Sequence, residues 1–489
     1  MRNTRHTATA LLSLVITSSA MASSTFQQPF ASLEKNRLVD QIMPPLATRP
    51  ALTDVLATSA VTDSSTLART AAMGFTKVPA EFNRYLSTLA GASYATRPSD
   101  AKVRDELAFN EMKRYLFNRY NGLTVLRTVQ QEGKLFDCIL RAQQPGMRDG
   151  AALASPPALP GAPAGAAKLA ADQRCDDGTV PLERLDLAAM VAYPDLTTFL
   201  HRQKSPRSAP SSTPSRSTPQ PPATVSNGHF YSSAFIDTAG IPVTGGGALL
   251  NVWDPAMPAA NDVQSISQIW LAGNSTRGTE TVEVGWEEQP PAGWGSKPII
   301  FVYSTQDGYN QTGCHNLDCA DFVQTSARNL LGAVPPGGFS VAGGKQTTLA
   351  VEFQRNTDGN WWVRIDNEWI GYYKANLYAG DLSKPSATTS FSAGGEISTQ
   401  NHLPSTLMGS GQFASAGYKK AAFQANHFYR DAGLNTYMVQ RLNVGIDNPT
   451  CYTMAISGYQ YTAGPGLSNA KASPEMTSGG FFFGGPGCR

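Results

Sequence analysis

From residue 227 onward, apolar and polar positions alternate in short bursts, each ended by Gly, Asn or Pro. Period-two alternation marks strands with one buried face. The runs Gln268–Leu271, Thr281–Trp286, Ile299–Tyr303, Thr347–Phe353, Trp361–Ile365 and Ser390–Ile397 carry it most clearly. Their length, spacing and turn chemistry predict a sandwich or barrel of antiparallel strands. Upstream, the apolar spacing becomes helical: Val103, Leu107, Met112, Leu116 and Tyr120 predict a helix from Ala101 to Tyr120, capped by Ser99-Asp100. The expected fold class is therefore mainly β, an antiparallel two-sheet β-sandwich preceded by an α+β region.

Four regions follow from these patterns. Residues 1–22 read as a secretory signal: Arg2 and Arg5 at the front, an apolar stretch from Leu11 to Ile16, and Ala20-Met21-Ala22 as the cleavage site. Residues 23–203 form the helix-containing region. Residues 204–226 are a Ser/Pro-rich linker, too poor in apolar residues to bury a core and open to proteolysis. Residues 227–489 form the β domain. A stretch at 142–173, rich in Ala, Pro and Gly, reads as a loose excursion between Cys138 and Cys175.

Composition narrows the classes. Six cysteines in an exported chain fit an oxidising compartment. They fall as three successive pairs, Cys138 and Cys175, Cys314 and Cys319, Cys451 and Cys488, although spacing alone leaves the pairing open. The net charge of +2 divides unevenly: residues 23–225 carry 23 basic and 18 acidic residues, and residues 226–489 carry 14 and 19. A net of +5 facing a net of −5 favours docking of the two halves. No dense Lys/Arg run marks a nucleic-acid partner. No later segment is long and apolar enough to span a membrane once the signal is removed. The expected location is outside the cytoplasm, extracellular or periplasmic.

Familiar catalytic motifs are missing: no HExxH, no GxSxG, no P-loop and no GxGxxG. Cys314, His315 and Cys319 make a poor zinc site, since zinc takes four convergent ligands. His229, His315, His402 and His427 form no Ser/His/Asp order and are expected on the surface or in loops. Two glutamates stand out. Glu283 shares a strand face with Thr281 and Gly285, while Val282, Val284 and Trp286 take the other. Glu396 shares a face with Ser392, Gly394 and Ser398, opposite Phe391, Ala393 and Ile397. Each lies two residues from a glycine, whose missing side chain would let a bound peptide backbone approach.

Those two strands belong to a longer series. Gln268-Ile269-Trp270, VEVGW at 282–286, TGCHNLDC at 312–319 followed by Phe322-Val323-Gln324, GNWW at 359–362, IGYY at 370–373, GGE at 394–396, MGSGQF at 408–413 and GGPGC at 484–488 occur in this order. Together they resemble the neprosin family of glutamic peptidases. Phe136-Asp137-Cys138, Gln144-Pro145, and Cys175 with Gly178–Leu182 resemble that family's activation peptide. The sequence departs from the family pattern at His315 and Asp318, in place of an aromatic and an apolar residue. Ala320-Asp321 replaces Pro-Gly, and Lys374 replaces proline.

The resemblance implies a zymogen-type secreted endopeptidase. Glu283 and Glu396 would form the catalytic pair, working at acidic pH without metal or cofactor and cutting after proline. It implies protein or peptide substrates containing proline, with the chain's own N-terminal region as inhibitor, and acidification would loosen that contact by neutralising carboxylates. Gln268, Gln324 and Tyr372 are candidate oxyanion donors. Trp286, Trp361 and Trp362 are candidate walls for a proline ring. Two rival readings remain: a carbohydrate-binding sandwich that uses the WW and GYY aromatics, and a catalytically degenerate secreted homologue.

Overall fold

The computed structural model describes Val39, Ile42 and Met43, and residues 80–120, 123–158, 173–201, 228–255, 257, 262–289, 297–399 and 403–488. The signal sequence, the Ser/Pro-rich linker and His402 lie outside the described residues.

The N-terminal region contributes helices α1 (Ala80–Gly91), α2 (Glu106–Tyr120), α3 (Leu187–Met190) and α4 (Leu196–Leu200). Its antiparallel sheet comprises β1 (Val125–Gln131), β2 (Lys134–Leu140) and β3 (Thr179–Glu183). Helix α2 starts later than its apolar spacing suggests. Asp105 Oδ1 caps it, accepting from Ala108 N at 2.7 Å, while Lys102 and Val103 pair with the Val191 carbonyl. Tertiary pairing outcompetes propensity over 101–104. The Cys138–Cys175 disulfide closes the excursion that begins after β2.

Eighteen further strands follow: β4 (His229–Ile236), β5 (Gly245–Asn251), β6 (Asp262–Ser275), β7 (Gly278–Glu288), β8 (Ile299–Ser304), β9 (Cys314–His315), β10 (Phe322–Gln324), β11 (Thr348–Arg355), β12 (Trp361–Ile365), β13 (Glu368–Tyr373), β14 (Ser390–Thr399), β15 (Ala422–Arg430), β16 (Thr436–Met438), β17 (Arg441–Ile446), β18 (Thr453–Ser457), β19 (Gln460–Tyr461), β20 (Leu467–Asn469) and β21 (Gly480–Gly484). They form two sheets. One runs β19-β17-β4-β14-β6-β7-β8-β9, and the other β10-β13-β12-β11-β5-β15-β21-β18-β20 with β16 on β15. β11 faces β7, β5 faces β6 and β21 faces β14, so the sheets stack as a sandwich.

The alternation read from the sequence sets the layers. Val282, Val284, Trp286, Ile269, Leu271, Phe391, Ala393 and Ile397 turn inward from one sheet. They meet Leu250, Val351, Phe353, Trp361 and Val363 from the other. Phe353 and Phe391 join edge to face across the layer at 5.3 Å, an arrangement that adds about 1 kcal/mol beyond area burial. Trp286 donates its indole N–H to the Asn251 carbonyl at 3.0 Å. Disulfides Cys314–Cys319 and Cys451–Cys488 pair sequence neighbours, as does the first.

The N-terminal region docks on the β10 end of the sandwich. Gln144 accepts from Gln324 N at 2.7 Å and donates to Gln324 O at 2.8 Å, so one side-chain amide satisfies both main-chain groups of that edge residue. Tyr115 donates to the Asp318 carbonyl at 2.7 Å, and Arg119 pairs with the Asp318 carboxylate at 3.8 Å. Lys374 pairs with Asp149 at 2.6 Å.

Candidate active site

The outer face of the first sheet carries both glutamates. Glu396 on β14 lies opposite Tyr231 on β4 and Ile266 on β6. Glu283 on β7 lies opposite Trp270 on β6 and Tyr303 on β8. Gln268, on the strand between them, pairs with Gly394 on one side and Gly285 on the other. Each glutamate is two residues from its glycine, so the two reach toward Gln268 from opposite diagonals. Both carboxylates are buried, Glu283 at 0% and Glu396 at 1% exposed.

Each carboxylate is held by specific donors. Glu396 Oε1 contacts His229 Nδ1 at 2.8 Å and accepts from the Tyr231 hydroxyl. Its Oε2 accepts from Gln268 Nε2 at 3.0 Å. That bond fixes the Gln268 amide and turns its Oε1 away, where it has no hydrogen-bond partner among the described residues. Glu283 Oε1 accepts from Thr281 Oγ1 at 2.8 Å and from the Tyr309 hydroxyl at 2.7 Å. Thr305 N in turn donates to Thr281 Oγ1, so the threonine hydroxyl proton is directed at Glu283.

Tyr309 comes from the loop after β8, with φ at +64°. A non-glycine residue stays there only when its surroundings over-determine it. They do so here: Tyr309 N donates to Thr305 Oγ1 at 2.9 Å, and the neighbouring Asp307 accepts from the N–H groups of Asn310, Gln311 and Thr312. Burial opposes the Asp307 charge, but the Thr312 hydroxyl and these N–H groups outweigh it and hold the carboxyl below its usual range. Burial, and then the charges of Glu283 and Glu396, push the Tyr309 phenol far above its ordinary value. It therefore stays protonated and can only donate to Glu283. At the end of α4, His201 lies beside Asp307 and Gln311, and burial keeps its imidazole below its usual range. His201, the last described residue of the N-terminal region, thus lies against the loop that supplies Tyr309.

The glycines beside the glutamates serve the sheet itself. A Cβ at Gly285 would collide with the Ser267 carbonyl, and one at Gly394, whose φ is +148°, with the Ser232 carbonyl. Close approach between strands, rather than approach of a ligand, requires them.

Of the secondary candidates, Gln268 joins the glutamates. Gln324 lies on β10 and donates to the carbonyls of Ser326 and Asn329. Trp286 and Trp361 face the interior between the sheets. Trp362 and Tyr372 sit 4.7 Å apart on the outer face of the other sheet, with Trp369, under Met147 and Ala154 of the N-terminal region. The hydrogen-bonded site therefore excludes Gln324, Tyr372, Trp286, Trp361 and Trp362. Three histidines also differ from expectation. His229, His315 and His427 are all buried in strands; His315 pairs with Glu287 and stacks on Phe301. A strand face accommodates a polar ring when a carboxylate or amide partners it. Reasoning from the sequence missed Tyr231, Thr281 and Tyr309. Thr281 and Tyr231 had a usable signal, since each shares face parity or register with a glutamate, but Tyr309 had none.

Two buried glutamates thus flank a glutamine on one sheet face of the β-sandwich. Residues 261–486 match the Neprosin family model. That segment is thus similar to a Neprosin domain, which supports a peptidase. The two sheets start earlier than the match, at His229. Among solved structures, the chain is similar to scytalido-glutamic peptidase bound to a transition-state analog inhibitor, at 9% identity and TM-score 0.26, covering 53% of this chain and 98% of that one. It is also similar to SCP-B, an Eqolisin-family peptidase complexed with the tripeptide Ala-Ile-His, at 7% identity and TM-score 0.24 with the same coverages. Both likenesses are too distant to assign a role to any residue.

Proposed function

We infer that the protein is a secreted endopeptidase made as a zymogen, in which Glu283 and Glu396 activate water against a peptide bond. The observation that carries this reading is the placement of both glutamates on one buried face, each oriented by dedicated donors, about a central Gln268. One carboxylate of such a pair takes the proton of the attacking water while the other, protonated, donates to the carbonyl oxygen or the leaving amine. Base and acid are not assigned to particular residues. The mechanism needs one carboxyl protonated, so activity should fall as pH rises. Gln268 keeps Glu396 in place and offers its free Oε1 to a substrate N–H.

Residues 23–203 act as the inhibitory region. Support comes from their docking through Gln144, Arg119 and Asp149, and from His201 beside the Tyr309 loop. Cleavage in 204–226, which holds Pro206, Pro210, Pro214, Pro219, Pro221 and Pro222, releases the mature enzyme. Cleavage after proline would make this self-processing. Three disulfides fit the oxidising exterior expected of an exported enzyme.

The test is a pH series on purified precursor with a proline-containing peptide mixture, read by mass spectrometry, with Glu396→Gln alongside. Acid-dependent loss of the N-terminal region and cuts after proline that the variant cannot make are the expected result. Equal inertness of both proteins, even after an added protease opens 204–226, would end the catalytic reading.

A further inference from the structure

A polar chain crosses the sandwich interior directly behind Gln268. Gln424 on β15, fully buried, points from the second sheet into the first. Its Nε2 lies 2.9 Å from Ser267 Oγ, 3.2 Å from the Gln268 carbonyl and 3.0 Å from the Gly394 carbonyl. Gln268 and Gly394 are register partners on adjacent strands. One amide therefore ties together the two backbone positions from which the Gln268 side chain and, two residues on, Glu396 emerge. The tie has a reason to exist. Gly394-Gly395 lies mid-strand in β14, and glycine carries the most conformational freedom to lose on folding.

The amide is itself held. His427 Nε2 lies 3.3 Å from Gln424 Oε1, and Tyr459 OH lies 3.1 Å from both His427 Nδ1 and His427 N. Proton directions follow without choice. Gln424 Nε2 faces acceptors, so its Oε1 must accept; His427 Nε2 then donates. Tyr459 OH takes the His427 main-chain N–H and gives its own proton to Nδ1. A single neutral tautomer satisfies every group, and burial, which lowers the His427 pKa to about 3, keeps the ring neutral through the acid range.

A regular strand would place residues 424 and 427 on opposite faces. The register on β5 shifts between Ala425 and Phe428, and Asn426 takes φ +55°. This bulge turns His427 to the side of Gln424, and Asn426 is held there by Gly479 O and Ser478 N.

We propose that Gln424, oriented by His427 and Tyr459, is a positioning residue that sets the backbone of β6 and β14 behind the glutamate pair. The proposal rests on the glutamate-pair reading above. Its test uses full-length protein opened at 204–226 with an added protease, and compares wild type with Gln424→Leu, Gln424→Glu, Tyr459→Phe and Glu396→Gln on a proline-containing peptide. Gln424→Leu is expected to lower kcat about 10–100-fold with KM within about threefold, the cost of a misplaced rather than missing catalytic group. Gln424→Glu should stay protonated and donate in acid, and repel both carbonyls once ionised, so its activity relative to wild type should fall as pH rises. A merely structural residue would lower melting temperature and leave the pH profile of the folded enzyme alone. Folded Gln424→Leu and Gln424→Glu with wild-type kcat and pH profile would overturn the proposal. If Gln424→Leu does not fold, Tyr459→Phe decides: a kcat drop of about threefold or more at unchanged KM supports it, and unchanged kcat overturns it. If wild type is inert or Glu396→Gln matches it, the glutamate reading itself falls, which is a separate result.

Discussion

Replacing Asp321 by Asn should stabilise the protein at neutral pH and leave it nearly unchanged in acid. Asp321 follows Ala320, whose N–H donates to the Ile42 carbonyl of the N-terminal region at 3.1 Å. Burial pushes its carboxyl up to about 6, and Lys374 offsets this only in part, being engaged by Asp149. The unfolded chain titrates near 3.9. Between those values the folded protein holds the proton and the unfolded chain does not, so stability is fully present below about 4 and declines as pH rises through about 6. A shift of about two units corresponds to a ceiling of about 3 kcal/mol. The side chain is only half-buried, and solvent screening brings this to about 1–2 kcal/mol. Asparagine removes the penalty. Melting temperature at pH 7.5 should rise by a few degrees, about 2–4 °C per kcal/mol for large domains, with the gap closing near pH 4. A constant gap at both pH values, or none, would refute the reasoning. Asp149 has the opposite sign. Burial opposes its charge, but the Lys374 and Ala151 N–H bonds outweigh that and hold it below the usual carboxylate range, so its pair is lost only below about pH 4. Mild acid therefore stabilises the fold through Asp321 and leaves the Asp149–Lys374 pair intact. Loosening of the docked region by neutralised carboxylates is not what these two groups supply.

Two further predictions concern hydrogen bonds. Tyr309→Phe removes a donor to a buried carboxylate, a bond worth about 1.5–3 kcal/mol, so the melting temperature should fall by about 3–12 °C at about 2–4 °C per kcal/mol, and the folded variant should lose about 10–100-fold in kcat/KM for peptide hydrolysis. Gln144→Leu leaves the Gln324 N–H and carbonyl buried without partners, about 1–3 kcal/mol each, and should show as faster limited proteolysis at the junction of the two regions.

Much of the sandwich was legible because a strand with one buried face writes that face into its sequence. Val282, Val284 and Trp286 against Glu283, and Phe391, Ala393 and Ile397 against Glu396, fix two strands and the side on which the glutamates lie. The same rule could not reach Tyr309, which arrives on a loop through a left-handed backbone and a cage around Asp307. It also misleads at β15, where one extra residue at Asn426 reverses the parity and brings His427 beside Gln424. The start of α2 was misread for a related reason: Lys102 and Val103 spend their N–H groups on Val191 and Arg104 on Pro194, partners about ninety positions away. Trp362 and Tyr372 look like subsite residues in sequence because aromatic platforms and docking surfaces share one composition.

Two of the positions where this chain departs from its family's pattern, Asp318 and Lys374, meet charges of the N-terminal region, Arg119 and Asp149. Two ion pairs thus join the N-terminal region to the β domain at those positions. An N-terminal half borrowed from a relative with an apolar residue at the first position and proline at the second would arrive without the complementary charges. Docking of the N-terminal region would then depend on charges that the two regions must carry together.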